Sequence, residues 1–142
     1  MTGVAALAPL TLVLPEPPSA NRYWRHVGRN VVLSREAHEY RKAVRAAYES
    51  VTGERDVHFP LPATLIVRFE WWRTRKSGDL DNRIKQLLDG LRGCAYTDDQ
   101  QIVEIHAYRF ECPGAGRADV HIRAAVDDFG PLWGPREESR VE

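Results

Sequence analysis

The sequence predicts an α+β chain of one domain, and three observations carry that reading. Residues Ala63 to Trp72 alternate, with Leu65, Val67, Phe69 and Trp71 on one side and Ile66, Arg68, Glu70 and Trp72 on the other. That is the period of a strand with one face buried. From Arg35 to Val51 the apolar residues Ala37, Tyr40, Val44, Ala47, Tyr48 and Val51 recur at helical spacing, and Ile84, Leu87, Leu88 and Leu91 repeat the pattern. The 142 residues are enough to bury a core in one domain.

In chain order, Leu10 to Leu14 reads as a short buried strand stopped by Pro15. The prolines of Pro15 to His26 hold a stiff extended loop. It presents Asn21, Arg22, Tyr23, Trp24 and Arg25. Aromatics interleaved with arginines suit phosphates and exposed bases. Alternatively, Tyr23 and Trp24 pack on the core while the arginines snorkel. Val31 to Leu33 is a brief strand, and Ser34 caps the first helix, which Gly53 ends. The strong strand then runs through the basic turn Arg73 to Gly78 into Asp79. The second helix closes at Gly93, Ile102 to Glu111 is a strand, and Ala118 to Ala125 alternates again. The turn Pro113-Gly114-Ala115-Gly116 predicts that these last two strands pair as a hairpin.

The chemistry concentrates in Lys76-Ser77-Gly78-Asp79-Leu80-Asp81-Asn82-Arg83-Ile84-Lys85, answered by Tyr96-Thr97-Asp98-Asp99-Gln100. Residues two apart in a helix point to nearly opposite sides, so Asp79 and Asp81 share a ligand only from a strand end or a helix entrance. Asp81 or Asn82 suits the N-terminal cap, where negative charge meets the positive end of the dipole. Carboxylates gathered on a rim need a counter-charge, and a hard divalent cation bound by oxygens supplies it. The pattern reads as a Mg²⁺ site, with Mn²⁺ a possible substitute.

Composition narrows the class. Lys+Arg and Asp+Glu are both 20, yet the charge is uneven. From Arg22 to Arg45, seven bases face two acids, a net of +5, and from Asp127 to Glu142 five acids face two arginines, a net of −3. Such asymmetry points either to a polyanionic partner or to a solvated basic helix face. Cys94 and Cys112 stand alone, without CxxC or zinc spacing, and read as reduced thiols of a cytosolic protein. The apolar start lacks a basic segment and is broken by Pro9, so neither a signal peptide nor a membrane span is expected. The five histidines show no ligand spacing. Residues 1–125 form the expected domain, and 126–142 an acidic tail with Gly and Pro, expected to be loosely ordered with Phe129 or Trp133 against the domain.

Pro17-Pro18-Ser19-Ala20-Asn21-Arg22-Tyr23-Trp24-Arg25, then Asp79-Leu80-Asp81-Asn82 with Lys85, Asp89 and Leu91, then Asp98-Asp99 with Gln101, resemble the RusA family of Holliday junction resolvases. The likeness runs from about Leu10 to Ala125. It implies a small mixed sheet packed against two main helices, and a homodimer. It implies a cytoplasmic, bacterial or phage-encoded endonuclease that nicks four-way DNA junctions symmetrically with Mg²⁺, in recombination and repair. The family's essential carboxylates match Asp79, Asp81 and Asp99, and its lysine matches Lys85. The acidic tail lies outside the matched region.

Phosphodiester hydrolysis needs a nucleophilic water, neutralised phosphoryl oxygens and help for the departing 3′ oxygen, which a bound Mg²⁺ supplies in part. Lys85 steadies a carboxylate, the scissile phosphate or the leaving oxygen, or it simply pairs with Asp81 four residues earlier. Asp98 either supports the site or caps a turn, Asn82 orients a ligating aspartate or caps the helix, and Asp89 is expected to be structural. Arg73, Arg75 and Lys76 join Asn21, Arg22 and Arg25 as expected DNA contacts. Two nicks on opposed strands suit a twofold dimer, whose interface or junction wedge could use Trp72 or Phe110. The alternatives are a non-catalytic junction binder, a less selective flap or branched-DNA nuclease, and a sugar-nucleotide transferase built on the DxD. The last wants a nucleotide-binding βαβ unit and a longer chain.

Overall fold

The computed structural model describes residues 7–19, 24–74, 78–111 and 114–125, with side chains omitted at Trp24, Arg25 and Leu33. Segment 126–142, Asn21, Arg22, Tyr23, Arg75, Lys76 and Cys112 lie outside the described residues. The elements are β1 (Leu10–Pro15), β2 (Trp24–Val27), β3 (Asn30–Leu33), α1 (Arg35–Thr52), β4 (Leu65–Arg73), α2 (Asp81–Leu91), a short 3-10 turn (Asp99–Gln101), β5 (Ile102–Glu111) and β6 (Arg117–Ala124). Strand order in the main sheet is β1-β6-β4-β5, with β4 antiparallel to β6 and parallel to β5. The expected mixed sheet with two helices is what forms.

The alternation in β4 explains why the core sits where it does. Leu65, Val67, Phe69 and Trp71 are fully buried, and register extends the apolar rows into neighbouring strands. Val67 lies beside Ile122 and then Leu10, Phe69 beside Val120 and Leu12, and Trp71 beside Ala118 and Leu14. Tyr40, Val44 and Tyr48 of α1 and Leu87 and Leu91 of α2 complete the same cluster. Each such side chain contributes roughly 1.5–3 kcal/mol when removed from water. Ser34 caps α1, its Oγ accepting from the Ala37 N–H at 3.1 Å, and the Gly53 N–H closes the helix on the Glu49 carbonyl at 2.8 Å. Val51, expected in the apolar stripe, is exposed because it lies in the last turn, beyond the sheet's cover.

Two connections differ from expectation. Trp24 to His26, expected as the end of the loop, belong instead to Trp24–Val27, which pairs with Asn30–Leu33 as a separate two-stranded ribbon. Gly28, at φ +61°, permits the tight turn between them. The larger correction concerns β5 and β6, which do not form a hairpin, because β4 lies between them. Buried along nearly its whole length, β4 takes a hydrogen-bonded neighbour on each edge, while β5 keeps Val103 and Ile105 exposed at the sheet border. The link after Glu111 therefore crosses the end of β4, where Trp72 has Phe110 on one side and Arg117 on the other.

That crossing depends on a residue without a side chain. A Cβ on Gly116 would lie 2.4 Å from Glu16 Oε1 and 3.0 Å from the Trp72 carbonyl oxygen. The displaced Glu16 carboxylate accepts from Trp71 Nε1 at 2.8 Å and from Thr74 Oγ1 at 3.2 Å. Cys94 is a buried free thiol, its ionisation disfavoured by burial. Among the described residues no helix is long and apolar enough to cross a membrane. Gly116→Ala is expected to lower unfolding stability by about 1–3 kcal/mol through overpacking, read as a shifted denaturant midpoint with an unchanged slope.

Candidate active site

The first acidic segment is set by the way β4 ends. Arg73 is almost fully buried; its Nε donates to Glu111 at 3.0 and 3.1 Å and its Nη1 to the Gly78 carbonyl at 3.0 Å. Expected as a DNA contact, it instead clamps the loop that delivers Asp79, since a guanidinium turned inward needs such partners. Asp79 follows at the surface, exposed. Leu80 occupies the position before α2 in helical conformation, with no side-chain cap. The expected cap by Asp81 or Asn82 does not form. Instead the carbonyls of Asp79 and Leu80 accept the N–H groups of Asn82 and Arg83, at 3.2 and 3.0 Å. Asp81, the first residue of α2, is thus exposed with its carboxylate uncommitted to the helix end, in the positive field of the helix dipole.

The second acidic segment is held by side chain–backbone hydrogen bonds. Asp98 caps the 3-10 turn, its Oδ1 accepting from the Gln100 N–H at 3.2 Å, so capping, one of its two expected roles, is observed. Gln101 is buried with every polar atom engaged. Its Oε1 accepts from the N–H groups of Thr97 and Asp98 at 2.9 and 3.0 Å, and its Nε2 donates to the carbonyls of Phe59 and Ala63 at 3.0 and 2.9 Å. Tyr96 is buried beside it and donates to the Leu88 carbonyl at 2.7 Å, tying this turn to α2; burial pushes its hydroxyl pKa up.

Lys85 joins the two segments. Its Nζ lies 3.3 Å from Asp99 Oδ2 and 3.2 Å from Asp89 Oδ1. Its ion pairs are with these residues rather than with Asp81. The close contact with Asp89 is the main reason the ammonium is held in its charged form beyond the usual lysine range, with Asp99 adding to it. Burial alone would raise the Asp99 carboxyl, but hydrogen bonding with Asp98 and Lys85 and the lysine charge hold it below the usual carboxylate range. Residues four apart on a helix share a face, with Cβ atoms about 5–6 Å apart. Lys85, and Asp99 through it, therefore stand on the side of α2 that Asp81 occupies.

Asp79, Asp81 and Asp99 are all hard oxygen donors on the surface, which suits Mg²⁺ or Mn²⁺ in chemistry. Among the described residues, no three His, Cys, Asp or Glu side chains gather closely enough to form a metal-binding group. The structure thus brings together Lys85, Asp99 and Asp89, and leaves Asp79 and Asp81 on the adjoining helix entrance.

A cleft of about 740 Å³ opens beside that entrance, lined by Pro17, Tyr40, Thr74, Gly78, Asn82 and Arg83 among others. Asn82 is half-buried in its wall. Arg83 lies over the Trp71 ring at 4.5 Å and donates to the Pro17 carbonyl. Glu16, bound to Trp71 and Thr74, roots the Pro-rich loop next to the basic turn. Ser19 lines this cleft together with Thr74. The basic run of α1 is partly structural. Arg41 and Arg45 reach the carbonyls of Asp89 and Gly93 at 3.4 and 3.0 Å. On the sheet face away from the core, Trp72 stacks on Phe110 at 4.5 Å with Arg117 over it at 4.7 Å.

Sequence reasoning gave no role to Asp89 as a partner of Lys85, to Gln101, or to the Glu16–Trp71 and Arg83–Pro17 ties. Two signals were available: the i,i+4 spacing of Lys85 and Asp89, and the Asp98-x-x-Gln101 pattern of a capping box. Nothing local marks the other two, which join residues more than fifty positions apart.

Comparison with known proteins places this arrangement. The family model described as Endodeoxyribonuclease RusA matches residues 15–123. The crossover junction endodeoxyribonuclease rusA of Enterobacteria phage HK97 is 35% identical over 112 residues, covering 78% of this chain and 90% of that protein. The namesake from Enterobacteria phage 82 is 29% identical over 112 residues, covering 78% and 91%. That from Escherichia coli (strain K12) is 28% identical over 113 residues, covering 79% and 92%. By class, then, this fold is that of a DNA-cleaving hydrolase. The chain belongs to the RusA family of endodeoxyribonucleases.

Replacing Gln101 with leucine would strand two buried N–H groups and two carbonyls. Gln101→Leu is expected to cost about 2–4 kcal/mol, read by equilibrium unfolding, and to lower cleavage activity by loosening the turn that carries Asp99.

Proposed function

We propose that this protein is a structure-selective endodeoxyribonuclease that resolves four-way DNA junctions by paired symmetric nicks, using Mg²⁺, with Mn²⁺ as a substitute. The names of its relatives support the substrate and reaction. The observation that carries the catalytic reading is the 3.3 Å contact between Lys85 and Asp99, which ties the second acidic segment to the helix that begins with Asp81.

In this reading Asp79, Asp81 and Asp99 hold the cation, and Asn82 orients a ligating aspartate. The bound ion supplies Lewis acidity at the phosphoryl oxygens. Lys85, whose side chain is 63% exposed, presents a compact positive charge to the scissile phosphate or to the leaving 3′ oxygen, where charge grows in the transition state. Asn21, Arg22, Arg25, Arg75 and Lys76 contact the DNA backbone. Arg73 serves them by clamping the loop. A twofold homodimer presents two such sites to a substrate with matching pseudo-symmetry.

Asp81→Asn is expected to bind a synthetic four-way junction with wild-type affinity. Its cleavage should be slower by on the order of a thousandfold, as several kcal/mol of lost charge stabilisation implies. Chelation of divalent ions should abolish wild-type cleavage. A gel assay on four-way, forked and linear DNA reads all three, and equal cutting of forked DNA would favour the less selective nuclease. Unimpaired cleavage by Asp81→Asn would overturn the assignment, and junction binding without cutting by the wild type would return a non-catalytic binder.

A further inference from the structure

The carboxylate of Asp89 is at odds with its surroundings. Asp89 is only 7% exposed, in the middle of α2, and its Oδ1 is buried without a well-aligned hydrogen bond. The contact available to that oxygen is the Lys85 ammonium at 3.2 Å. Removing a carboxylate from water is costly, and a single pair with a largely exposed lysine offsets little of that cost. Stability therefore does not explain an aspartate here, since an asparagine of the same shape would avoid the charge. What the charge does accomplish is local. Lys85 has a long, flexible stem, and its two acidic contacts fix the ammonium from opposite segments, Asp89 one turn along the helix and Asp99 from the 3-10 turn. Arg41 braces the Asp89 backbone from α1, donating to its carbonyl at 3.4 Å.

We infer that Asp89 is a positioning residue for the cleavage reaction, a buried anchor that holds the Lys85 ammonium at the phosphate-binding surface while Asp99 serves the cation. This rests on the reading of Lys85 as a group that acts on the phosphate or the leaving oxygen. With Asp99 as a cation ligand, Asp89 would be the contact that keeps the lysine from swinging into solvent.

The test is a double-mutant cycle on the full chain. Single-turnover cleavage of a synthetic four-way junction is measured for wild type, Asp89→Asn, Lys85→Ala and the double variant, with melting curves and junction Kd alongside, at a temperature where all four are folded. Asp89→Asn is expected to slow cleavage about 10- to 100-fold, as loss of a group that orients a functional side chain does. Its Kd should match wild type and its melting temperature should be no lower. In the Lys85→Ala background the same substitution should slow nothing further. Asp89→Glu, which keeps the charge on a longer arm, should cleave faster than Asp89→Asn; a residue needed only for packing would show the opposite order. Equal slowing in both backgrounds, or wild-type cleavage by Asp89→Asn, would overturn the proposal and leave the nuclease reading intact. Full cleavage by Lys85→Ala would sink the reading of Lys85 beneath it and the proposal too.

Discussion

Burial of one face of β4 is the constraint from which the rest of this structure follows. Leu65, Val67, Phe69 and Trp71 are inaccessible to water, so β4 needs helices over that face and a strand on each edge. Those needs place β6 and β5 on its two sides and force the chain to cross its end at Gly116. They also fix where the strand stops. Arg73, bound to Glu111 and to the Gly78 carbonyl, turns the chain at the rim of the sheet, and the acidic helix entrance follows within a few residues. The apolar core supplies a rigid platform, and the candidate site sits at its edge.

At that edge the binding forces change in kind. Tyr96 and Lys85 join the second acidic segment to α2, and Gln101 anchors that segment to the rest of the domain, through hydrogen bonds and ion pairs. Fully satisfied polar contacts of this sort define geometry more sharply than apolar packing, because each has a preferred distance and direction. Gln101 shows the principle well. One amide side chain ties the 3-10 turn to the segment Phe59 to Ala63, which also lies against Cys94 to Tyr96 through backbone hydrogen bonds and a bridge. The turn bearing Asp99 is thereby fixed to the body of the domain. Lys85 is the softer tie, reaching from a mobile stem to two acids.

Zero net charge is a poor guide to how this molecule meets DNA. Several of its arginines already have acidic partners within the fold: Arg68 with Glu70 at 2.7 Å, Arg73 with Glu111 at 3.0 Å and Arg117 with Asp119 at 3.0 Å. Others brace α1 against the end of α2. The described walls of the cleft carry no basic excess either, since Glu16, Glu36 and Glu39 line it together with Arg83. A total over the whole chain averages these uses away.

Local pattern was enough to read the two helices and the strands of the main sheet. The two-residue period of β4, the helical stripes of α1 and α2 and the cap at Ser34 are properties of neighbouring residues, and each appears where the spacing put it. The acidic motifs and the family likeness were legible for the same reason, being short runs of contiguous residues. Pairing was not legible, because alternation tells which face of a strand is buried and is silent about which strand lies beside it. β5 and β6 accordingly part around β4. The uses of polar side chains were hidden as well. That Arg73 points inward, that Asp81 leaves the helix cap to backbone carbonyls, and that Lys85 reaches Asp89 and Asp99 all depend on partners brought near by the sheet and the helix crossing. Residue order alone determined the main elements and the chemistry they carry, whereas the meeting of charges from separate segments is a long-range event that only the packed structure decides.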